Sequence, residues 1–211
     1  NLFLTGRNSE KLNSLKNELE NSVNGIKIDF EDADLSDDDE IQKLIEKAKN
    51  TFVNIDILVN CAGVFPVKLL SDSTVEDFEN CFGVNVKAAF VLCKEFSQGM
   101  ISKKWGRIIN IASSSAYAGF KNTSIYCSSK HALLGLSRSL HSELKEYNVR
   151  TFCVSPGPIK TSMGHDIVKN ENPDERFDSF MNPNEIAEFI AYLISFDNEM
   201  VSEEIRLSRI D

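Results

Sequence analysis

Short apolar runs alternate with longer amphipathic stretches along the whole chain. The apolar runs predict β-strands at residues 2–4, 26–30, 55–59, 107–111, 149–154 and 204–207. Leu12, Leu15 and Leu19 recur at helical spacing, which predicts a first helix with Ser9 as its N-cap and Gly25 after its end. Further helices are predicted from the acidic start at 36–39 and over residues 78–100, 126–146 and 183–194.

Strands that alternate with helices of this length are typical of βαβ units. The strands are nearly continuously apolar, as expected for a parallel sheet covered by helices on both faces. The pattern therefore predicts an α/β fold of the doubly wound, Rossmann-like type. At 211 residues, the chain fits one domain spanning residues 1–211.

The composition of the chain argues against several classes of partner and site. A net charge of −9 argues against a nucleic-acid partner, because phosphate binding needs clustered Lys and Arg. No apolar run approaches the length of a membrane-spanning helix, so we expect no membrane partner and a cytoplasmic location. The five cysteines lie in or beside apolar runs without a Cys-x-x-Cys pair, which predicts buried free thiols. The three histidines are not clustered, so no metal site is expected.

Ligands of open α/β sheets bind beyond the carboxyl ends of the strands. Small, polar and glycine residues follow most of the predicted strands, as in the segments 5–7, 34–36, 60–63, 112–115 and 155–161. Each segment alone is weak evidence, since ordinary turns have the same composition.

Tyr126 and Lys130 are a sharper signal. Four residues apart on a predicted helix, their side chains share one face. An ammonium beside a phenol lowers the phenol pKa, which would make Tyr126 an acid or base near neutral pH. An isolated pair of this kind also arises by chance on helix faces.

The surrounding motifs resemble the short-chain dehydrogenase/reductase family, over essentially the whole chain. The matching blocks are Gly106-Arg107-Ile108-Ile109-Asn110-Ile111-Ala112-Ser113, Tyr126-Cys127-Ser128-Ser129-Lys130, Asp56-Ile57-Leu58-Val59-Asn60-Cys61-Ala62-Gly63, Asn85-Val86 and Pro156-Gly157-Pro158-Ile159-Lys160-Thr161. Their order and spacing also match, and the chain is similar to the bacterial 3-oxoacyl-(acyl-carrier-protein) reductases of this family.

The resemblance implies four catalytic residues. Tyr126 would exchange a proton with the substrate oxygen, and Ser113 would hydrogen-bond and polarise that oxygen. Lys130 would bind the nicotinamide ribose and assist Tyr126, while Asn85 would hold a helix kink and a water that passes protons to Lys130. Ser114 and Ser115 are rival hydroxyls, but the spacing to Tyr126 favours Ser113.

The resemblance also implies cofactor contacts. Asn60, Ala62 and Gly63 resemble the family's Asn-Asn-Ala-Gly turn, with Cys61 in place of the second Asn. The other implied contacts are Asp34 and Leu35 beside the adenine, Ile159 and Thr161 beside the carboxamide, and Ile111, Tyr126, Lys130, Pro156 and Gly157.

The cofactor preference is inferred from charge. Family members specific for NAD carry an acidic residue at the end of the second strand of the complete fold. In this chain Gly6 occupies that position, and Arg7 follows it. A guanidinium pairs well with a 2′-phosphate, so we expect NADP(H) rather than NAD(H). An exposed Arg in a loop would look the same.

One family element has no counterpart in this sequence. The family's first strand, first helix and glycine-rich phosphate loop would precede Asn1, as a unit of about 30 residues. The chain is therefore expected to be N-terminally incomplete, with a sheet order of 3-2-1-4-5-6-7 in the complete form.

The expected activity is reduction of a carbonyl or acyl-thioester substrate. An alcohol or hydroxysteroid dehydrogenase acting oxidatively, and a non-catalytic nucleotide-sensing protein, remain alternatives. The helices at 78–100 and 126–146 are expected to form a homodimer or homotetramer. The residues expected to shape the substrate pocket are Phe65, Pro66, Val67, Tyr117, Phe120 and the loop 164–182.

Overall fold

The computed structural model describes residues 1–165, 177–199 and 201–210. Its strands are parallel throughout. They are β1 (Leu2–Gly6), β2 (Ile28–Asp32), β3 (Ile57–Asn60), β4 (Gly106–Ile111), β5 (Val149–Pro156) and β6 (Glu204–Leu207). β1 pairs with β2, and β3-β4-β5-β6 form a second sheet in that order. The parallel α/β architecture predicted from the sequence is confirmed.

Helices connect these strands. They are α1 (Ser9–Ser22), α2 (Asp38–Thr51), α3 (Val75–Phe82), α4 (Ala88–Lys103), α5 (Ser124–Leu144) and α6 (Pro183–Ser195). The predicted N-cap of α1 is wrong by one residue, because the Asn8 side chain accepts the hydrogen bond from the Lys11 N–H at 2.8 Å. α6 begins as predicted at Pro183, behind Asn182 as its N-cap.

Two strands begin later than their apolar runs. β2 covers Ile28–Asp32 rather than 26–30, because its partner β1 begins at Leu2 and that residue pairs with Ile28. β3 similarly covers Ile57–Asn60, with Ile57 paired to Arg107. Pairing with the neighbouring strand sets where each strand begins. The hydrophobic run in the sequence does not contain this information, because the pairing partner is distant along the chain.

The long helix predicted over residues 78–100 is interrupted. A capping box between Thr74 and Asp77 starts α3 at Val75, and a π-helical segment at Gly83–Lys87 separates α3 from α4. A π segment inserts one residue into the helical turn and changes which face the following side chains occupy. Asn85 is buried in this segment.

The core lies on both faces of the larger sheet. Ile108 of β4 packs with apolar residues of α2 and α4, while its neighbour Ile109 packs with Phe152, Val154 and Leu193 on the α6 side. Adjacent strand residues point to opposite faces, so one strand serves two helical layers. The expected helical cover of both faces is confirmed.

A cavity of about 810 Å³ lies between β1 and β3. Leu2 to Thr5 line one side and Ile57 to Asn60 the other, with Leu35, Leu92 and Leu133 among the apolar residues around them. The two strand edges facing this cavity are not paired with each other. A strand placed here would complete the predicted sheet order, and that strand stays a prediction.

Candidate active site

The site is built where the carboxyl end of β4 meets the first turn of α5. Tyr126 and Lys130 lie on the buried face of α5, only 8% and 4% exposed. Lys130 Nζ donates a hydrogen bond to the carbonyl of Ile111 at 2.9 Å and lies 5.7 Å from the centroid of the Tyr126 ring. The helical spacing predicted for this pair is confirmed, and the carbonyl of the last residue of β4 anchors the ammonium near the phenol ring.

Ser113 lies just beyond β4, at the start of a short 3-10 turn. Its hydroxyl oxygen accepts a hydrogen bond from the Ser115 N–H at 3.1 Å, and its side chain also hydrogen-bonds Tyr126. Of the rival hydroxyls, Ser114 is exposed and Ser115 is buried. Ser113 is thus the hydroxyl that meets the Tyr126 phenol.

Burial controls the pKa values of the pair. Desolvation raises the pKa of Tyr126 to about 12, and the hydrogen bond from Ser113 opposes this rise without overcoming it. Desolvation lowers the pKa of Lys130 to about 8. The expected lowering of the phenol pKa by Lys130 is therefore wrong for this structure, because the loss of water around Tyr126 dominates and only the hydrogen bond from Ser113 acts in the lowering direction. Tyr126 is a neutral phenol at neutral pH.

Asn85 joins the site from the π segment. Its Oδ1 accepts the Val64 N–H at 2.8 Å, and its Nδ2 donates to the Val64 carbonyl at 3.0 Å. A methyl group on Gly63 would lie 3.3 Å from Asn85 Oδ1 and 3.6 Å from Lys130 Nζ. The absence of a side chain at Gly63 thus leaves open a space that both polar atoms face.

Asn60 differs from its expected position. It ends β3 instead of following it, and its side-chain amide donates to Asn110 Oδ1 on β4 at 2.8 Å. The Asn60 side chain therefore hydrogen-bonds within the sheet.

Cys61 is exposed beyond the strand, whereas the other four cysteines are buried, so the prediction of buried thiols is wrong for Cys61.

The predicted adenine end lies beyond β1 and β2. Arg7 is exposed directly after β1. Asp34 Oδ1 accepts hydrogen bonds from the Ser36 N–H at 2.9 Å and its hydroxyl at 2.7 Å. These bonds lower the pKa of Asp34 most, and the charge of Arg7 lowers it further. The Leu35 side chain is buried in the hydrophobic core that includes α2, where it packs against other apolar side chains.

The segment after β5 is held on two sides. Gly157 N–H donates to the Leu207 carbonyl of β6 at 3.0 Å, and Ile159 forms an isolated parallel bridge with Met181. Thr161 is exposed, and its hydroxyl oxygen accepts the Gly164 N–H at 3.1 Å. Of the predicted loop 164–182, residues 166–176 lie outside the described part of the chain.

Two aromatic residues of the predicted pocket have different surroundings. Phe65 packs edge-on against Tyr126, with 4.4 Å between ring centroids. Tyr117 instead donates its hydroxyl hydrogen bond to Glu204 at 3.1 Å, and Arg206 stacks 3.3 Å from its ring centroid. Tyr117 is therefore tied to β6, while Phe65 contacts the Tyr126 ring.

Sequence reasoning missed the groups behind Asn85. Cys81 and Ser129 are fully buried, and both contact the Asn85 amide. Ser129 lies one helical turn after Tyr126, yet a serine in that position carries no signal of a partner on another helix.

In the described residues we find neither a cluster of metal-ligating side chains nor a helix apolar and long enough to span a membrane.

Residues 1–172 match the family model described as short chain dehydrogenase. The chain belongs to the short-chain dehydrogenase family. This short-chain dehydrogenase is 35% identical over 162 residues to carbonyl reductase family member 4 of Xenopus laevis, covering 76% of this chain and 69% of the relative. It is 30% identical over 198 residues to the 3-oxoacyl-(acyl-carrier-protein) reductase of Aquifex aeolicus, covering 92% of this chain and 79% of the relative.

Its fold is also similar to that of solved structures. A variant of actinorhodin polyketide ketoreductase, solved with NADPH, superposes with a TM-score of 0.87. The match covers 97% of this chain and 85% of that one at 24% sequence identity, so it bears on the fold alone. The family assignment makes this short-chain dehydrogenase an oxidoreductase that acts on carbonyl or alcohol groups with a nicotinamide cofactor.

Proposed function

We propose that this short-chain dehydrogenase reduces a ketone with NADPH, and that Tyr126 donates the proton to the carbonyl oxygen. The observation that carries the proposal is the arrangement of the buried Tyr126 phenol beside Lys130, whose Nζ is anchored by the Ile111 carbonyl 5.7 Å from the centroid of the Tyr126 ring. In the direction of reduction, the neutral phenol can give its proton to the developing alkoxide. The bound nicotinamide would supply the hydride.

The remaining side chains prepare the carbonyl for reduction. Ser113 hydrogen-bonds Tyr126 and would donate to the same substrate oxygen, which stabilises the negative charge that develops there. Lys130 would hold the ribose hydroxyls with its Nζ, which the Ile111 carbonyl already anchors at 2.9 Å. Asn85, through its Oδ1 beside Gly63, would hold the water that passes a proton towards Lys130.

The residues around Gly63 fit a nicotinamide cofactor. A side chain there would fill the space faced by Asn85 and Lys130, so the glycine keeps this part of the site open. Ala62, Gly63, Ile111 and the segment 156–161 would contact the cofactor mainly through the backbone. The Asn60 side chain donates a hydrogen bond to Asn110, which favours a structural role for that side chain. Asn60 would therefore contact the cofactor through its backbone.

NADP(H) is proposed over NAD(H) because of Arg7. The exposed guanidinium follows β1 at the strand end where a 2′-phosphate would lie. Its charge also acts on Asp34, which partly offsets the positive potential. Since a guanidinium pairs bidentately with phosphate, we expect Arg7 to contact the 2′-phosphate directly.

The relatives and the Phe65 ring beside Tyr126 support the proposed substrate class. A carbonyl or acyl-thioester compound with an apolar part would pack against Phe65 at the phenol. An oxidative alcohol or hydroxysteroid dehydrogenase would use the same four side chains, so only the direction of turnover separates it. We further propose a cytoplasmic location, because the four buried cysteines are free thiols, as in reduced proteins.

The test is NADPH consumption by the natural protein with a panel of ketones that includes β-ketoacyl thioesters. Tyr126→Phe is expected to lower kcat at least about a hundredfold, since general acid catalysis contributes about 10² to 10⁴. NADPH binding, followed by cofactor fluorescence, should survive in that variant. Arg7→Ala should lower kcat/KM with NADPH roughly tenfold or more and change it far less with NADH.

Turnover by Tyr126→Phe at the wild-type rate would exclude the proposed role of the phenol. A natural protein that binds NADPH but reduces no member of the panel, and oxidises the matching alcohols with NADP, would favour the dehydrogenase alternative. Binding without turnover in either direction would favour a nucleotide sensor.

A further inference from the structure

A buried polar network connects the π segment to the helix that carries Tyr126 and Lys130. Asn85 Nδ2 donates to Ser129 Oγ at 3.0 Å and contacts Cys81 Sγ at 3.3 Å. Ser129 Oγ in turn donates to the Tyr126 carbonyl at 2.7 Å. All of these side chains are nearly or fully buried, with exposures of 2% for Asn85 and 0% for Cys81 and Ser129.

The hydrogen-bond directions in this network are determined by chemistry. A serine hydroxyl carries one proton, and Ser129 gives that proton to the Tyr126 carbonyl. Its oxygen can then only accept, and it does so from Asn85 Nδ2 and from the Cys81 thiol at 3.5 Å. Asn85 must therefore present its NH₂ group to α5 and its Oδ1 to Val64 and the space beside Gly63.

Ser129 is the member of this network that joins the two elements. Without its hydroxyl, the Val64 main chain still orients the Asn85 amide, but the hydrogen bond that ties Asn85 to α5 is lost. The buried Nδ2 would also lose an acceptor, which costs free energy in a site closed to water. A displacement of Asn85 relative to Lys130 by about 1 Å would slow proton transfer, because catalytic groups act only at the right distance and orientation.

We propose that Ser129 is a positioning residue for the proton relay, holding Asn85 in register with Tyr126 and Lys130. This inference rests on the proposed function, because it assigns Ser129 to the relay that serves Tyr126. Cys81 supports the same amide from the preceding helix, as a weaker acceptor.

The chain offers a matched control in the next residue. Ser128 is also in α5, and its hydroxyl also donates to a carbonyl one turn back, that of Ile125 at 2.8 Å. Ser128 is exposed and is not part of the Asn85 network. Ser129→Ala and Ser128→Ala therefore remove the same group with the same helical effect, and only the first removes the link to Asn85.

The experiment measures ketone reduction by the natural protein and by Ser129→Ala, Ser128→Ala, Asn85→Ala and the double variant Asn85→Ala/Ser129→Ala. We expect Ser129→Ala to lower kcat about tenfold with KM nearly unchanged, the size of effect expected from one hydrogen bond. Ser128→Ala should stay within about twofold of wild type. The double variant should be no slower than Asn85→Ala alone, because both changes disable one relay.

The solvent deuterium isotope effect on kcat separates positioning from partial unfolding. A variant that merely folds less well has fewer active molecules and keeps the wild-type isotope effect. Ser129→Ala should instead show an isotope effect raised to that of Asn85→Ala, because proton transfer limits its turnover. If Ser129→Ala yields no folded protein, Cys81→Ala provides the same measurement with a smaller expected loss of kcat.

Equal rates for Ser129→Ala and Ser128→Ala would overturn the inference, as would losses that multiply in the double variant or an unchanged isotope effect. These outcomes leave the proposed function intact as long as Tyr126→Phe is inactive. An active Tyr126→Phe variant would instead remove the proposed function on which the inference rests.

Discussion

At the scale of single residues, burial decides which proton states the site uses. The same loss of water raises the pKa of Tyr126 to about 12 and lowers that of Lys130 to about 8. Desolvation penalises the charged form in each case, the phenolate of one residue and the ammonium of the other. The candidate site therefore pairs a protonated phenol with a lysine whose pKa lies close to physiological pH.

Lys130 should leave a signature in the pH dependence of stability. Its pKa in the folded protein lies below the ordinary value of 10.5, so the unfolded chain binds this proton more tightly. The free energy of unfolding therefore gains from Lys130 as the pH rises from about 8 towards 10.5. Between about pH 7 and pH 9 we expect wild type to gain roughly 1 kcal/mol relative to Lys130→Met.

Denaturant unfolding of the cofactor-free proteins at both pH values measures this difference. Every other titrating group is common to the two proteins and largely cancels in the comparison. A wild-type advantage that shrinks with rising pH would mean that the ammonium is stabilised in the folded protein, opposite to the effect of burial.

At the scale of elements, the tight turn from α4 into β4 positions the strand that ends at the site. Lys104 takes a left-handed conformation at the end of α4, and Trp105 N–H donates to the Met100 carbonyl at 3.1 Å. Gly106 then begins β4 so close to Met100 that an added Cβ would lie 2.5 Å from that side chain. Met100 is fully buried and has little room to move.

Gly106→Ala should therefore destabilise the protein by roughly 1–3 kcal/mol, through overpacking against Met100. Gly135→Ala provides the opposite case, because Gly135 is exposed inside α5 and an added Cβ meets nothing within 4 Å. That variant should gain roughly 0.5–1 kcal/mol from the higher helix propensity of alanine. Midpoints of denaturant unfolding report both changes, and a common sign for the two would refute this account of the turn.

At the scale of the whole molecule, an apolar surface on α3 and α4 is left uncovered by the residues that the structure describes. Phe78 and Phe90 are 45% and 49% exposed, and they line a shallow cleft with Phe82 and Val86. We propose that a second copy of this chain covers this surface in a homodimer or homotetramer. Exposed aromatic side chains grouped on adjacent helices are typical of protein interfaces.

Phe90→Asp should shift the protein towards the monomer, because a buried unpaired carboxylate in the interface costs several kcal/mol. Light scattering coupled to size-exclusion chromatography measures the mass. Phe120→Asp is the control, since Phe120 is equally exposed at 53% but precedes α5 and lies outside the α3–α4 surface. A monomeric wild-type protein, or a Phe90→Asp protein of unchanged mass, would contradict the proposed assembly.

The sequence alone determined the features that depend on local order along the chain. Alternating strands and helices led to the parallel α/β fold, because period and polarity reflect which faces are buried. The four-residue spacing of Tyr126 and Lys130 placed both side chains on one helix face, because helical geometry is local. The family motifs then indicated Asn85 and Ser113 as further site residues, and the fold brings all four side chains to one end of the sheet.

Only the tertiary structure decided the features that depend on contacts distant in sequence. Pairing to β1 moved the start of β2 to Ile28, and packing around Asn85 accompanies the π segment that interrupts the predicted helix. Burial reversed the expected pKa of Tyr126, since desolvation depends on every element packed around the phenol. The link from Asn85 to Ser129 spans 44 positions, and no local pattern encodes a hydrogen bond between two helices that meet only in the folded protein.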